Sequence, residues 1–392
     1  MNIETLPSPA NSNNTGSFWH TLHRPIIGAA PMDAVTDQPF RHILKKYGNP
    51  DIVYTEFTSV EALCHGDWSS MHNFLYDESQ RPIIAQIYGR TPDYFRQVAI
   101  MLCEMGFDGI DINMGCPAKT VANGGCGAGL IRTPDNAQAI VRAAKAGVEE
   151  WRNGATTANC TRLLARFSKH VAEKHAQLPA AYQERRHIPV SVKTRIGYEE
   201  PSVESWIPRL LEVEPVVICL HGRTLRQAYK GQADWDVIGK AAQIVKKTPT
   251  LILGNGDVSS YEDGVQRSAH YGLDGVLIGR ASFGNPFVFQ PSKPSATEQT
   301  HLERELFRHR LITIAMEHVR LYEQTFQHVK NFYFPAMRKH LSWYIKDFSG
   351  AGHLRASLMQ ANSSQEVDAI FDQQRQRSMS FRKLEELARS QA

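Results

Sequence analysis

Eight short apolar, β-rich runs recur between residues 25 and 278, and their spacing restricts the fold more than any other feature of the chain. They are Pro25–Ala30, Ile52–Thr55, Ile83–Ile87, Gly109–Asn113, Val190–Thr194, Val216–Leu220, Leu251–Gly254 and Gly275–Ile278. Most are apolar at consecutive positions, as strands buried on both faces of a parallel sheet are. Successive runs begin 24 to 35 residues apart, with one exception. Each interval holds one strand and one helix. Eight in succession predict an α/β chain folded as a closed (β/α)8 TIM barrel. Helix starts are marked between the runs. Thr91 and Asp93 open a helix to about Met105, and Thr133, Pro134 and Asp135 open another through Ala146. Ser202, Asp234 and Ser259 are further N-caps. The exception is the 81-residue step from Gly109 to Val190. Its stretch near Trp151–Arg186 reads as a helical or partly disordered insertion at about residues 148–187.

After Phe289 the pattern changes. Gln290–Thr300 carries no strand signal and reads as a linker. From His301 the period is helical, with Phe307, Leu311, Ile314, Ala315, His318, Val319 and Tyr322 on one face. Further helices follow to about Ala388. The predicted division is a flexible lead-in over 1–22, a barrel over 23–290 and a C-terminal α-helical domain over 291–392. The start, Met1 to Phe18, is polar and lacks the basic start and apolar core of a secretory signal, so a cytoplasmic location is expected. No apolar run is long enough to cross a bilayer.

Charge adds a partner class. The net +4 lies wholly in Pro291–Ala392, with 15 Lys+Arg against 11 Asp+Glu; the remainder is 29 against 29. A basic appendage on a neutral body suits a polyanion, and a solvated helical face is the plainer alternative. The six cysteines, at 64, 103, 116, 126, 160 and 219, include no C-x-x-C pair. No zinc site or disulfide framework is therefore expected, and a free thiol is available for chemistry.

In such a barrel the active site lies at the C-terminal ends of the strands. Those ends read Ala30-Pro31-Met32, Thr55-Glu56, Gln86, Asn113-Met114-Gly115-Cys116-Pro117, Lys193-Thr194-Arg195, His221-Gly222-Arg223, Gly254-Asn255-Gly256-Asp257 and Gly279-Arg280. The last two form a candidate phosphate cradle. Glycines let the backbone approach, so Asn255, Gly256, Gly279 and Arg280 can offer N–H groups to a dianion. Lys193 can stabilise an anionic reduced flavin ring, and Gln86 and Asn113 can hydrogen-bond its edge. Cys116 sits in a constrained turn before the glycine-rich loop Asn123–Gly129. A thiol of pKa ~8.5 is mostly protonated near neutrality and can donate a proton. The other reading is a small buried hydrophobe, assigned to Cys64, Cys103 and Cys219. Cys126 competes weakly with Cys116.

These motifs, in this order, resemble the tRNA-dihydrouridine synthases over about residues 24–289. The resemblance continues through Met337-Arg-Lys-His-Leu-Ser-Trp-Tyr344 in the helical region. It departs in the insertion before the fifth strand and in Cys126. The resemblance implies FMN held by Pro31, Met32, Gln86, Asn113, Lys193, His221, Asn255, Gly256, Asp257, Gly279 and Arg280, with NADPH as reductant. It implies hydride delivery to C6 of a tRNA uridine and protonation of C5 by Cys116. Lys119, Arg195, Arg338, Lys339 and His340 become candidate substrate contacts, and a monomer is expected. The competing functions are an FMN barrel oxidoreductase acting on a free pyrimidine and a non-catalytic tRNA-binding protein.

Overall fold

Parallel strands form at all eight apolar runs: β1 Ile26–Ala29, β2 Val53–Tyr54, β3 Ile83–Tyr88, β4 Gly109–Met114, β5 Val190–Arg195, β6 Val217–His221, β7 Leu251–Asn255 and β8 Gly275–Ile278. The structure is a computed structural model that describes residues 17–292, 301–346 and 350–377. Neighbours pair in chain order from β2 to β8, and β8 pairs with β1. Between β1 and β2, Ala29 N donates to Ile52 O at 3.0 Å and Asp51 N to Ile27 O at 3.1 Å, which closes the cylinder. The (β/α)8 barrel inferred from the spacing is thus the architecture observed. Its interior is filled by Ile26, Tyr54, Ile84, Val217, Cys219, Leu253 and Leu277. Trp19 belongs to the same cluster with no exposed surface. The lead-in expected through residue 22 therefore ends in an anchor, because a buried indole removes a large apolar area from water.

Helices flank the strands. Pro134–Arg152 runs past its expected end at Ala146 and packs on Pro92–Glu104. The contact needs glycine: a Cβ on Gly147 would lie 2.1 Å from Arg96 O. Val203–Leu211 and Trp235–Val245 start after Ser202 and Asp234 as expected. Tyr261–Tyr271 is capped by Ser260 rather than Ser259. Ser259 instead donates through its N and Oγ to Asp263 Oδ2. The insertion is folded, with helices Ala165–Gln177 and Ala180–Gln183.

The chain divides into two compact units, Met1–Asp37 with Pro50–Gly279 and Gln38–Asn49 with Arg280–Ala392. The second unit includes helix Gln38–Tyr47, which follows β1 in the chain. Ile43 of that helix shares a core with Leu311, Ile314, Val319, Met337, Leu341 and Phe371. Helix His301–Phe326 buries Leu311, Ile314, Ala315, His318 and Val319 as its period predicts, but Phe307 is 40% exposed. No helix among the described residues is long and apolar enough to cross a membrane.

Candidate active site

The turn carrying Cys116 is built by the residue that ends the inward face of β4. Asn113 Oδ1 accepts the N–H groups of Gly115 at 3.0 Å and Cys116 at 2.9 Å, an Asx-type turn. Asn113 Nδ2 donates to Gln86 Oε1 at 3.0 Å, and Gln86 Nε2 donates to Asp111 Oδ2 at 2.7 Å. Ser191 Oγ donates to Asp111 Oδ1 at 2.6 Å. The chain of bonds has a direction. An ionised carboxylate only accepts, so Gln86 must turn its NH2 to Asp111 and its carbonyl to Asn113. The Asn113 carbonyl then faces the Cys116 turn. Asp111 has no exposed surface, and burial raises its pKa to about 6, so it is mostly ionised at neutral pH. Gln86 is equally buried, with its amide committed to Asp111 on one side and Asn113 on the other. The sequence reading missed Asp111 and Ser191. The available signal was the two-residue step from Asp111 to Asn113, which puts both on one face of β4.

Burial raises the Cys116 thiol pKa, opposed by a hydrogen bond from Ala118 N–H. The thiol is therefore protonated at neutral pH. Cys126 is shifted the same way, mainly by burial, and its Sγ lies 3.7 Å from Gly124 O. All six cysteines are free; Cys103 and Cys219 are buried, whereas Cys64, expected as core, is half-buried.

The strand register sets Asn113 beside Lys193, and Arg195, His221 and Asn255 in one row. Burial lowers the Lys193 pKa. The buried Asp111 carboxylate opposes that shift, while among the described residues the Lys193 ammonium makes no hydrogen bond or ion pair. Arg195 differs from the open substrate contact expected. It is 3% exposed, and Nε donates to Gly115 O at 2.7 Å while Nη1 donates to Thr224 O and Ala228 O. Burial lowers its pKa to about 10. Most of its guanidinium therefore braces the Cys116 turn against the loop after β6.

At the ends of β7 and β8, Asn255 Nδ2 donates to Leu277 O at 2.8 Å. Gly256 has φ +119°, and a Cβ there would lie 2.7 Å from Ala233 Cβ and 3.6 Å from His221 Nε2. Only glycine fits this turn, because a side chain would meet Ala233 in a backbone conformation that other residues rarely adopt. Asp257, expected as a cofactor contact, also has a structural role. Its Oδ2 accepts from Arg223 Nη2 at 2.6 Å and Ala233 N at 2.8 Å, so the carboxylate secures the loop after β6. A Cβ on Gly279 would sit 3.5 Å from Met32 Sδ, which places the ends of β8 and β1 side by side. Pro31 and Met32 are half-buried, and Met32 N donates to Thr36 Oγ1 at 3.1 Å. Arg280 starts a 3-10 turn, Arg280–Ser282, in the second unit.

Lys119 opens the short helix Lys119–Asn123, but its side chain lies outside the described residues. In the second unit, Arg338 donates to Ala361 O, Gln360 O and Asn362 Oδ1. Lys339 is half-buried. His340 is not the open RNA contact expected of it. It is 2% exposed, packed 5.4 Å from the Phe40 ring and 5.0 Å from the His318 ring, and burial holds it neutral.

The site thus joins a protonated thiol, a buried lysine and a glycine turn at neighbouring strand ends. Known proteins share this chain's sequence over nearly its whole length. The dihydrouridine synthase family model matches residues 28–156 and 163–380. The "Probable tRNA-dihydrouridine synthase 2" of Bacillus subtilis (strain 168) is 32% identical over 363 residues, 91% of this chain and 96% of that one. The "Probable tRNA-dihydrouridine synthase" of Staphylococcus aureus (strain COL) is 33% identical over 362 residues, 91% and 95% of the two chains. Matches of this extent, over a barrel whose strand ends carry these groups, mean that the chain belongs to the dihydrouridine synthase family.

Proposed function

We propose that this chain is a tRNA-dihydrouridine synthase, which uses FMN and NADPH to saturate the C5–C6 bond of particular uridines in tRNA. The observation that carries the reading is the pair formed by a protonated Cys116 and a buried Lys193, which hydrogen-bonds no described residue, at adjacent strand ends. The donor set fits FMN. Lys193 and His221 suit the anionic pyrimidine end of a reduced flavin. Asn255, Gly256 and Gly279 suit its phosphate, while Pro31 and Met32 offer apolar surface. Asp257 acts through Arg223.

Bound FMN, once reduced by NADPH, supplies the hydride that uracil C6 receives. Cys116 completes the reduction by transferring its S–H proton to C5, so the ring gains one hydride and one proton. The thiolate left behind is stabilised by Ala118 N–H and the positive charges of Arg195 and Lys193, each of which favours ionisation of that sulfur. Reprotonation from water restores the acid. Asn113 and Arg195 hold the turn so that the thiol does not have to be ordered at each turnover. The target uridine must leave its stack to enter a barrel mouth. The basic helical unit supplies the phosphate attraction that a folded RNA requires. The test is a map of dihydrouridine in tRNA from cells with and without the gene. Loss of reduction at defined uridines is expected, and identical maps would refute the reading.

A further inference from the structure

The insertion before β5 has a charge that the barrel around it lacks. Residues 155–187 carry six Lys and Arg against two Glu, which leaves 23 against 27 for the rest of residues 1–290. Its path explains where that charge goes. Thr157 N donates to Glu104 Oε2 at 2.6 Å, Arg162 N to Gln97 Oε1 at 2.7 Å, and Arg162 Nε lies 3.9 Å from Asp93 Oδ2. The segment therefore climbs helix Pro92–Glu104 from its last residue to its first turn. That first turn follows β3, so it lies at the same end of the barrel as the Cys116 turn. Arg90, just before the helix, donates to Gly124 O at 3.2 Å and so joins this rim to the glycine loop after Cys116.

Helix Ala165–Gln177 starts at the rim. It buries Phe167 and Val171 and leaves Arg166, Lys169 and Lys174 exposed. Arg166 donates to Gly66 O, while Lys169 and Lys174 make no ion pair among the described residues. Leu164, beside them, is 48% exposed. Arg185 and Arg186 serve the opposite end, on Ala155 O and Asp108. Near the mouth, Arg166 and Lys169 are thus not spent on protein carboxylates, and Arg162 meets Asp93 only at 3.9 Å.

We propose that the insertion is an accessory docking surface for the ribose-phosphate backbone of the substrate tRNA, with Arg162, Arg166 and Lys169 as its contacts. The proposal rests on the reading of the chain as a tRNA-reducing enzyme. Phosphate contacts are sequence-independent and release counterions, so each one steepens the salt dependence of binding by roughly 0.7–0.9 in the log–log slope. The test measures tRNA binding to the FMN-loaded protein from low to physiological salt. R162Q/R166Q/K169Q is compared with wild type, and K169E, which breaks no protein contact, serves as the variant that folds regardless. The triple variant should bind on the order of ten-fold more weakly, with a slope shallower by about two. K169E should weaken binding in the same direction. Wild-type affinity and slope in both variants would overturn the docking surface alone. A wild-type protein that neither binds nor reduces tRNA would overturn the functional reading and this surface with it.

Discussion

Replacing Asp111 by asparagine separates the stability of the buried polar chain from its function. The carboxyl is fully buried, and its pKa stands at about 6 against an ordinary 3.8. A shift of about two units, at ~1.4 kcal/mol each, means that burying the ionised form costs the fold about 3 kcal/mol at neutral pH. Below pH ~4 both folded and unfolded chains carry the proton, and this cost is absent. Between pH ~4 and ~6 the unfolded chain releases the proton first, so stability falls as pH rises; above ~6 the cost is constant. Asparagine keeps the shape. Its Oδ1 can accept from Gln86 Nε2, and its Nδ2 can donate to Ser191 Oγ, whose hydroxyl turns to accept. The charge-assisted bonds become neutral ones, a loss of about 1 kcal/mol each that partly offsets the relief. The amide can also flip, so it no longer dictates how Gln86 and Asn113 point. Urea unfolding of D111N and wild type should show the stability gap moving by about 3 kcal/mol in the variant's favour between pH 4 and pH 7. Meanwhile kcat/KM should fall on the order of ten-fold, and its acid limb near pH 6 should disappear. A stability gap that stays the same at both pH values would exclude the buried Asp111 charge as a cost to the fold.

Other outcomes follow from the same geometry. C116A should keep bound flavin and tRNA affinity but lose about 10²–10⁴-fold in turnover, because only the acid is removed; wild-type turnover would exclude the role. G256A forces a side chain at φ +119° and 2.7 Å from Ala233 Cβ. It should lower stability by about 1–3 kcal/mol and yield protein depleted in flavin, and full flavin content would contradict the cradle. His318 is buried with its pKa lowered to about 3. The unfolded chain takes up that proton below pH ~6.5 while the folded chain does not, so the full chain should lose stability on acidification through this range. H318L should flatten that loss, and an unchanged acid slope would contradict it.

The barrel was legible because its strands are apolar on both faces, which keeps each run visible without any partner information. All eight formed within a residue or two of the expected positions. The strand ends were legible for a related reason: polar residues directly after buried strands have few structural uses. Which of those residues face a ligand was not legible. Asp257 and Arg195 read as site groups, yet Arg195 spends most of its donors, and Asp257 one carboxylate oxygen, on neighbouring loops, a choice made by residues far away in sequence such as Arg223 and Thr224. His340 read as a basic surface residue because its neighbours Arg338 and Lys339 are charged, but the helix turns it into the core beside Phe40, some three hundred positions earlier. Asp111 was hidden inside an apolar strand, where a lone carboxylate looks like an interruption until Gln86 and Ser191 are brought beside it.

The mechanism proposed for this site turns on Cys116, which supplies the proton at uracil C5 of the tRNA uridine. The direct measurement is a single turnover of the pre-reduced, FMN-loaded protein with unmodified tRNA, followed by mass analysis of its nucleosides. Wild type should convert a specific uridine to a product heavier by two hydrogens as the flavin reoxidises, and C116A should leave that uridine unchanged with its flavin still reduced. Equal product from both proteins, or flavin reoxidation without any reduced uridine, would contradict the account.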